Sequence, residues 1–518
     1  MKKGLFIKNT LILTVTALLL RSIGIVFRIW LTGKIGAEGI GLYQIVFSVY
    51  ILASTFASTG ICTAVTRVVT ERLAAGDPRG GFRAVRAAVL LSLLCAGATA
   101  ALLRLFGGFI AVNLLAQPQA EPAIRILPIS LPFLGASACV RGYFTARRRS
   151  LPGSLGQILE QLVRIAVTIA LMAYFSGADL GQLAAVVMLG DCAAEAVFTL
   201  FILICYRKDK TKLLQQAPVL KNRAALREIF RISFPISAGR YLHTALRTVE
   251  NVITPLCLAA YAGAKQNALS QFGAVKGMAL PLLLFPASLL SAVSTLLVPE
   301  ITEAAAKGNT PAVQRAVQKV FGVTMLSCLP VVAVFFCCSG QLGLLIYQSS
   351  EVGWLLRALA PLIPFMYLDL ITDGILKGLD QQKALLRNCV IDSALRIILV
   401  LLAVPRAGML GFLGVMFFSN IFTTALALVR IKKVTKAHLN SLRLAVVPFI
   451  FAAVSGFVAQ FTCAPFLKNN LAYTAASTSV IGLCYLLLLV AFGYLKPGKV
   501  LKLKKSKTKL CCNHKQAV

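Results

Sequence analysis

The sequence predicts an all-α polytopic membrane protein with about fourteen transmembrane helices, which form two pseudo-symmetric six-helix lobes plus two extra C-terminal helices. Three observations support this prediction. First, 58% of the 518 residues are hydrophobic and only 14% are charged, a composition that favours a membrane protein over a soluble one. Second, apolar windows of about 20 residues, the length of helix that crosses a bilayer, recur along the chain. Third, features of the first half recur in the second half at a constant spacing.

The apolar windows predict the transmembrane helices in order, and no strand-like alternation of apolar and polar residues competes with them. The first window follows directly on Met-Lys-Lys without a small-residue cleavage site, so we expect it to be kept as a helix and not removed as a signal peptide. The predicted spans are residues 9–31, 41–66, 86–106, 123–146, 154–176, 181–205, 230–260, 272–298, 316–338, 354–376, 385–404, 409–430, 443–463 and 472–495.

The distribution of basic residues predicts the orientation of these spans. Most of the 53 Lys and Arg residues fall in alternate loops and at the two ends of the chain, and loops rich in Lys and Arg face the cytoplasm in membrane proteins. The largest groups are residues 147–149, residues 207–231 and the lysines between 496 and 515. We therefore expect both termini on the cytoplasmic side, which requires an even number of spans.

A single constant offset along the chain brings equivalent features of the two halves into register without gaps. Among the matched pairs are Glu71 with Glu303, Gly76 with Gly308, Arg83 with Arg315, Gly142 with Gly374 and Arg164 with Arg396. Because an even number of spans separates each pair, the two halves have the same orientation and are predicted to be related by an axis along the membrane normal. The predicted division is an N-lobe (1–205), a cytoplasmic linker (206–229), a C-lobe (230–431), two further helices (432–495) and a basic cytoplasmic tail (496–518).

The composition excludes several classes of function. The net charge of +35 suggests a nucleic-acid partner, but the basic residues cluster between apolar spans, so anionic membrane lipids are the expected partners and nucleic acid is not. The sequence contains no phosphate-binding loop, no nucleophile elbow and only three histidines, and its 14 cysteines lack the spacing of metal ligands. We therefore expect no catalytic residue, no metal and no cofactor, and a transporter instead of an enzyme.

Two arginines within the first span are the strongest functional signal in the sequence. Arg21 and Arg28 lie at membrane depth, where a charge costs about 2.5–3.5 kcal/mol on insertion scales. They are seven positions apart, nearly two helical turns, so both guanidinium groups lie on one helix face. We interpret that face as the lining of a central cavity. The alternative is that Arg28, near one end of the span, snorkels to the interface.

The seventh span carries a second polar stripe, formed by Arg240, His243, Arg247 and Glu250 at steps of three and four positions. Lys276 lies in the first turns of the eighth span. One alternative is that Glu250 neutralises Arg247 within the helix, and another is that Lys276 snorkels outward. The predicted substrate-binding residues are Arg21, Arg28, Arg240, Arg247, Glu250 and Lys276.

Six further charged residues lie within spans as pairs four positions apart. The pairs are Glu160 with Arg164, Asp392 with Arg396, and Asp191 with Glu195. The first two pairs occupy equivalent positions of the two halves, and we expect each to form an ion pair that stabilises its own helix. The third pair is acidic at both positions, and two buried carboxylates rarely both ionise. We therefore expect Asp191 and Glu195, together with the similarly spaced Asp369 and Asp373 of the tenth span, to be the candidates for coupling transport to protons or Na⁺.

Two stretches of the sequence resemble a known group of exporters. One is residues 36–44 (GAEGIGLYQ), followed by Thr-Gly-Ile at 59–61, and the other is residues 141–144 (RGYF), followed by Gln157 and by the segment 160–164. They resemble the stage V sporulation protein B branch of the polysaccharide-export group, which belongs to the multidrug, oligosaccharidyl-lipid and polysaccharide exporter superfamily. The MurJ-type lipid II flippases are close relatives of that branch.

The resemblance implies a function and a site. It implies alternating-access transport of an undecaprenyl-pyrophosphate-linked oligosaccharide, a peptidoglycan precursor such as lipid II for spore cortex or cell wall, across the bacterial cytoplasmic membrane. In the flippases, arginines of the first and eighth helices line the central cavity, and Arg21, Arg28 and Lys276 match those positions here. Such cations are the donors that an anionic pyrophosphate needs.

Two other functions remain open on the sequence. A cation-coupled multidrug antiporter of the same fold needs a carboxylate in the N-lobe cavity, whereas the first span contains no Asp or Glu. A scaffold that recruits cell-wall synthesis enzymes through its basic cytoplasmic surfaces would not explain charges placed inside the spans.

Reporter fusions test the predicted topology. Fusions at Lys34 and Lys265 should report an external position, and fusions at Arg148 and Lys432 a cytoplasmic one, because basic loops stay on the cytoplasmic side. Fusions that place the two termini on opposite sides of the membrane would contradict an even number of spans and, with it, the symmetric two-lobe arrangement.

Overall fold

Helices make up almost all of the computed structural model, which describes residues 3–58, 60–175, 177–214, 225–263, 265–288, 290, 301–436, 445–463 and 469–494. No β-strand occurs in these ranges. In chain order the helices are α1 (Lys3–Ser58), α2 (Ile61–Ala74), α3 (Pro78–Phe109), α4 (Glu121–Ala146), α5 (Leu151–Tyr174), α6 (Leu180–Leu214), α7 (Ala225–Ala262) and α8 (Lys265–Gly273). They continue with α9 (Leu280–Leu284), α10 (Thr310–Cys337), α11 (Ser339–Tyr347), α12 (Ser350–Leu359), α13 (Ile363–Gly378), α14 (Gln382–Thr435), α15 (Val447–Cys463) and α16 (Asn470–Ala491).

The predicted spans coincide with these helices. Within the described residues, nine helical stretches are long and apolar enough to cross a bilayer by length and composition. Two of the nine, of 63 and 54 residues, are more than twice the length of about 20 residues that one crossing needs, and each contains two predicted spans. The remaining predicted spans lie in α7, in the segment from α8 to α9, and in α15. Residues 289 and 291–298 of the eighth span lie outside the described residues, as do residues 176, 443–444 and 495 at the ends of other spans. The all-α polytopic architecture is therefore confirmed.

Glycines bend the two longest helical stretches where the sequence places a boundary between spans. Gly36 (φ 68°) follows the first span, and Gly408 (φ 55°) follows the eleventh. Glycine adopts positive φ without the steric cost that a Cβ would add, so the helix changes direction at these points. A third break, at Gly60 (φ 78°), separates α1 from α2 inside the second predicted span. The apolar window did not reveal this break, because apolar residues continue on both sides of it.

The predicted repeat is visible in the loops that begin α3 and α10. Gly76 and Gly308 both have positive φ, at 72° and 65°. The residue after each glycine is the N-cap of the next helix, and its side chain accepts a hydrogen bond from the backbone N–H three positions on, at 2.7 Å for Asp77 and 3.1 Å for Asn309. A side-chain oxygen at this position satisfies a backbone donor of the first turn. Two loops at equivalent places of the repeat therefore use the same chemistry.

The chain divides into two compact units. The first comprises residues 1–303 and 372–430, and the second comprises residues 304–371 and 431–518. In the first unit, the buried rings of Tyr143 and Phe198 belong to a core that joins α2, α3, α4 and α6. In the second unit, Cys338 packs with Tyr473 of α16. The lobe boundaries drawn from the repeat stay a prediction; residues 215–224 of the predicted linker and the tail from residue 495 lie outside the described residues.

After its bend, α1 packs closely against α8 and the π turn that follows it, Ala274–Ala279. A Cβ on Gly41 would overlap the backbone oxygen of Leu269, and a Cβ on Gly277 would overlap a side chain of α1. This close approach therefore favours glycine at both positions. Gly41 belongs to the 36–44 stretch that carries the family resemblance, so that stretch is a packing surface for the turn that holds Lys276.

Substitution of Gly41 tests this packing. Gly41→Ala should destabilise the protein by about 1–3 kcal/mol, because the added methyl group forces α1 away from the backbone of α8. Thermal unfolding of the purified protein measures the change. Gly33→Ala is the matched control, since a Cβ there meets open space and alanine is the better helix former. An unfolding midpoint for Gly41→Ala at or above that of the control would contradict the close packing.

Candidate functional site

A buried carboxylate on α7 organises the charged residues inside the first unit. Glu250 is only 3% exposed. Its Oε1 accepts a hydrogen bond from Arg396 Nη2 of α14 at 2.5 Å and lies 3.5 Å from Lys276 Nζ in the π turn after α8. The side chains of Arg396 and Lys276 are themselves only 13% and 20% exposed. One carboxylate therefore balances two cations from two other segments, in surroundings where an unpaired charge costs several kcal/mol.

Arg28 connects α1 to the same group of charges. Its Nη1 donates a long hydrogen bond of 3.5 Å to the backbone oxygen of Gly277, the residue next to Lys276. The ammonium group of Lys276 also lies 6.0 Å from the centre of the Phe412 ring, a cation–π distance. We call Arg28, Glu250, Lys276 and Arg396 the central cluster. It contains three cations and one carboxylate, and two of the cations, Arg396 and Lys276, contact that carboxylate.

The π turn after α8 and the hydrogen bonds between α1 and α7 determine where the side chains of the central cluster lie. Lys276 lies in a π turn, an irregularity that changes which face of a helix a side chain occupies and that is frequent at functional sites. On α7, hydrogen bonds to α1 lie on either side of Glu250. Thr248 Oγ1 donates to the backbone oxygen of Ser48 at 3.2 Å, and Asn251 Nδ2 donates to the Ser48 hydroxyl at 2.9 Å. The register of α1 against α7 is therefore fixed next to the carboxylate.

Two interpretations of the sequence are wrong at this site. Glu250 forms no direct ion pair with Arg247 of α7 among the described residues, because its carboxylate contacts cations of other segments. Asp392 and Arg396 do not form the predicted ion pair: Asp392 Oδ1 accepts from Ser419 Oγ at 2.6 Å, while Arg396 reaches Glu250. The spacing of four positions permits a pair within one helix, but tertiary packing gives each side chain a partner on another segment of the chain.

The other three predicted substrate-binding residues are not drawn into the central cluster. Arg21, Arg240 and Arg247 are exposed, and none has a hydrogen-bond or ion-pair partner among the residues that the structure describes. Arg21 lies about 10 Å along α1 from Arg28, given the helical rise per residue. A role for these three arginines in substrate binding stays a prediction.

A second charged group in the first unit has the opposite balance. Arg164 Nη2 donates to Glu160 Oε1 at 2.8 Å, so this predicted pair is present. Arg164 Nε also contacts Asp191 Oδ1 at 2.5 Å. Glu195, one turn from Asp191 on α6, accepts a hydrogen bond from Ser137 Oγ at 2.7 Å. We call Glu160, Arg164, Asp191 and Glu195 the acidic cluster, since three carboxylates accompany one arginine.

One buried carboxylate was not predicted at all. Asp209 of α6 accepts from Tyr143 Oη at 2.6 Å, from Arg147 Nε at 3.2 Å and from Arg149 Nη1 at 2.7 Å. The basic run at 147–149 was interpreted only as an orientation signal, yet it also fastens the end of α4 to α6. No sequence signal pointed to this contact, because its partners are about sixty positions apart.

Comparisons with known proteins agree on the family. Residues 6–305 match the sequence profile of the polysaccharide biosynthesis protein family, and residues 241–402 match that of the MatE family. The chain is 25% identical to stage V sporulation protein B of Bacillus subtilis (strain 168) over 516 residues, which cover 96% of this chain and 98% of that protein. It is 23% identical to the lipid II flippase MurJ of the same organism over 420 residues, 76% of each chain. The resemblance predicted from residues 36–44 and 141–144 is confirmed.

Solved structures agree on the fold. A structure of the lipid II flippase MurJ in an inward closed conformation matches 92% of this chain and 98% of its own, with a TM-score of 0.71 and 14% identity. An inward-facing multidrug resistance transporter of the MATE family matches 82% of this chain and 99% of its own, with a TM-score of 0.62 and 15% identity. At these identities the likeness establishes a multi-pass membrane transporter fold.

Removal of the shared carboxylate tests the central cluster. Glu250→Gln should lower the stability of the protein by about 3–5 kcal/mol, because two partly buried cations lose their anion. Thermal unfolding of the purified protein measures the loss. The double variant Glu250→Gln/Arg396→Gln should recover part of it, since one stranded cation is removed as well.

Asp392→Asn is the matched control, because this buried acid bonds to a hydroxyl group and can keep that bond as an amide. Its unfolding midpoint should stay close to that of the wild type. An equal loss in Asp392→Asn and Glu250→Gln would show that Glu250 has no special place among the buried acids.

Proposed function

Because the chain belongs to the polysaccharide biosynthesis protein family, we propose that it is a flippase for an undecaprenyl-pyrophosphate-linked oligosaccharide, a peptidoglycan precursor such as lipid II. Its relatives are transporters and flippases, so transport across a membrane is the function at the level of the superfamily. The observation that carries the finer proposal is the surplus of positive charge in the central cluster.

The central cluster has the donors that a pyrophosphate requires. Two arginines and one lysine accompany one carboxylate there, and Arg396 and Lys276 contact it directly. Guanidinium groups donate paired hydrogen bonds to phosphate oxygens, and these charge-assisted bonds are stronger than neutral ones. Partly buried cations in excess of the available anions destabilise the empty site. The same excess of positive charge would stabilise a bound anionic substrate.

Glu250 acts as a stand-in for the substrate anion. Its Oε1 holds Arg396 and Lys276 in place, and an arriving pyrophosphate would compete for the same donors. These donors belong to α14 and to the π turn after α8, while Arg28 belongs to α1. An exchange of Glu250 for substrate would therefore change contacts among several helices, which is how a ligand biases a bundle between two packings.

The acidic cluster supplies the transporter with a site for ion coupling. Asp191, Glu160 and Glu195 outnumber Arg164 in it, and clustered carboxylates bind or release protons and Na⁺. The named relatives, a sporulation protein and a lipid II flippase, favour a precursor of spore cortex or cell wall as the cargo.

The acidic cluster is also the observation that favours a second candidate function, a cation-coupled multidrug antiporter. A net negative group inside the bundle suits a cationic drug. Against this candidate, α1 contributes Arg28 to the central cluster and no acid within residues 9–31. Dye efflux from cells that express this chain, lost on mutation of Asp191 or Glu195, would favour the antiporter.

The proposal predicts how Arg28 variants behave. In liposomes that contain fluorescent lipid II, Arg28→Ala should slow leaflet exchange by about tenfold or more, the expected loss of a hydrogen bond to a charged group. Arg28→Lys should keep part of the activity, because a point charge replaces a two-pronged donor. Arg28→Ala should fold, since removal of a charge from a membrane span lowers its insertion cost, and Arg28→Lys should fold because it keeps the charge of the wild type.

Arg104→Ala is the matched control, because Arg104 is an exposed arginine of α3 without a partner among the described residues. It should exchange lipid II at the wild-type rate. Ion gradients imposed across the same liposomes test coupling. Near-wild-type exchange by every Arg28 variant at matched protein content would remove this residue from the mechanism.

A further inference from the structure

A crevice at the start of α3 carries a second surplus of positive charge. It has a volume of about 430 Å³, lies between α3, α4 and α6, and is lined by Arg79, Arg83, Arg86 and Lys210. The three arginines are separated by four and then three positions, so they lie on one face of α3. Lys210 of α6 closes the other side, with its Nζ 5.9 Å from the ring centre of Phe82. We call this cavity the α3 crevice.

The α3 crevice has more cations than the protein provides anions for. None of the described residues that line it is acidic. The two buried carboxylates nearest in sequence are engaged elsewhere: Asp77 caps α3 through Gly80 N–H, and Asp209 is held by Arg147 and Arg149. Within the part of the chain that the structure describes, Arg79 and Arg86 have no hydrogen-bond or ion-pair partner. The crevice therefore presents cations to an anion from outside the chain.

An apolar groove continues from the cationic crevice along α3. This groove has a volume of about 420 Å³ and shares Arg83 and Arg86 with the crevice, then extends past Val89 to Leu90 and Leu93. Leu90 is 54% exposed, so the groove is open on its outer side. Cations at one end and exposed leucines at the other match a molecule with an anionic head and an apolar chain.

We propose that the α3 crevice and its groove bind an anionic phospholipid of the cytoplasmic leaflet. The phosphate would lie among Arg79, Arg86 and Lys210, and an acyl chain would lie along Leu90 and Leu93. Basic pockets between transmembrane helices on the cytoplasmic side suit acidic headgroups, and these residues lie on the side that the distribution of Lys and Arg predicts to be cytoplasmic. Leaflet phospholipid surrounds the site at high concentration, so mass action favours it over a scarce polyprenyl lipid.

The internal repeat shows that the crevice is not a general feature of the fold. At the offset that carries Arg164 onto Arg396, Arg83 has a basic counterpart, but Arg79 and Arg86 fall on Pro311 and Gln318. A cluster needed only to set orientation would be expected in both halves. The equivalent helix α10 keeps only two cations there, Arg315 and Lys319, so the fuller set in the first half points to a ligand of that half.

Lipid retention by the purified full chain tests the proposal. Native mass spectrometry during titration with phosphatidylglycerol should show bound lipid on the wild type, and phosphatidylcholine should not be retained. Each cation removed should weaken binding about fivefold, so Arg79→Gln/Arg86→Gln/Lys210→Gln should weaken it on the order of 100-fold. If the triple variant does not fold, the single variant Arg86→Gln, at an exposed position, is measured instead. It should weaken lipid binding about fivefold.

The matched control is a triple variant that removes three exposed cations from the second half on the same predicted side, Arg315→Gln/Lys319→Gln/Lys383→Gln. It should bind phosphatidylglycerol as the wild type does. Unchanged binding by the α3 variants, or equal retention of phosphatidylcholine, would overturn the proposal. Displacement of phosphatidylglycerol by an equal amount of undecaprenyl pyrophosphate would overturn the assignment to a phospholipid, and equal displacement by inorganic pyrophosphate would overturn the need for an acyl chain.

Discussion

The rest of the central site depends on one carboxylate that two cations share. Glu250 is nearly inaccessible, and both Arg396 and Lys276 reach the same oxygen of it. In a membrane protein, apolar side chains do not fix the register of one helix against another, since lipid is as apolar as leucine. A buried charge does fix it, because any shift that separates the partners leaves an uncompensated ion. The positions of α7, α14 and the π turn after α8 are therefore tied to one atom.

The backbone packing around the cluster explains why the family resemblance lies where it does. Residues 36–44 carry no charge that enters the central cluster. They provide Gly41, whose lack of a side chain lets α1 meet the backbone of α8, and they begin at Gly36, whose positive φ turns the chain between two spans. Arg28 precedes this bend and meets the π turn through the Gly277 carbonyl. Small residues thus bring the charged ones together.

Local features of the site could be predicted from the sequence, and distant ones could not. The pair of Glu160 with Arg164 follows from helical spacing alone, and the structure contains it. The same spacing gave the wrong partner for Arg396, because the partner that packing supplies is 146 positions away. Apolar windows predicted the spans, since bilayer thickness sets their length. They missed the break at Gly60, where close approach to another helix, and not hydropathy, decides the conformation.

The two halves of the repeat surround equivalent arginines with opposite balances of charge. Arg164 and Arg396 occupy equivalent positions of the two halves. In the first half the arginine contacts two carboxylates, Glu160 and Asp191. In the second half a carboxylate, Glu250, contacts two cations, Arg396 and Lys276. A bound anion would be stabilised most by the cation-rich arrangement of the second half, and a bound cation by the acid-rich arrangement of the first half. In each case the bound ion balances the excess charge. A repeated scaffold can therefore hold ions of opposite sign around equivalent arginines.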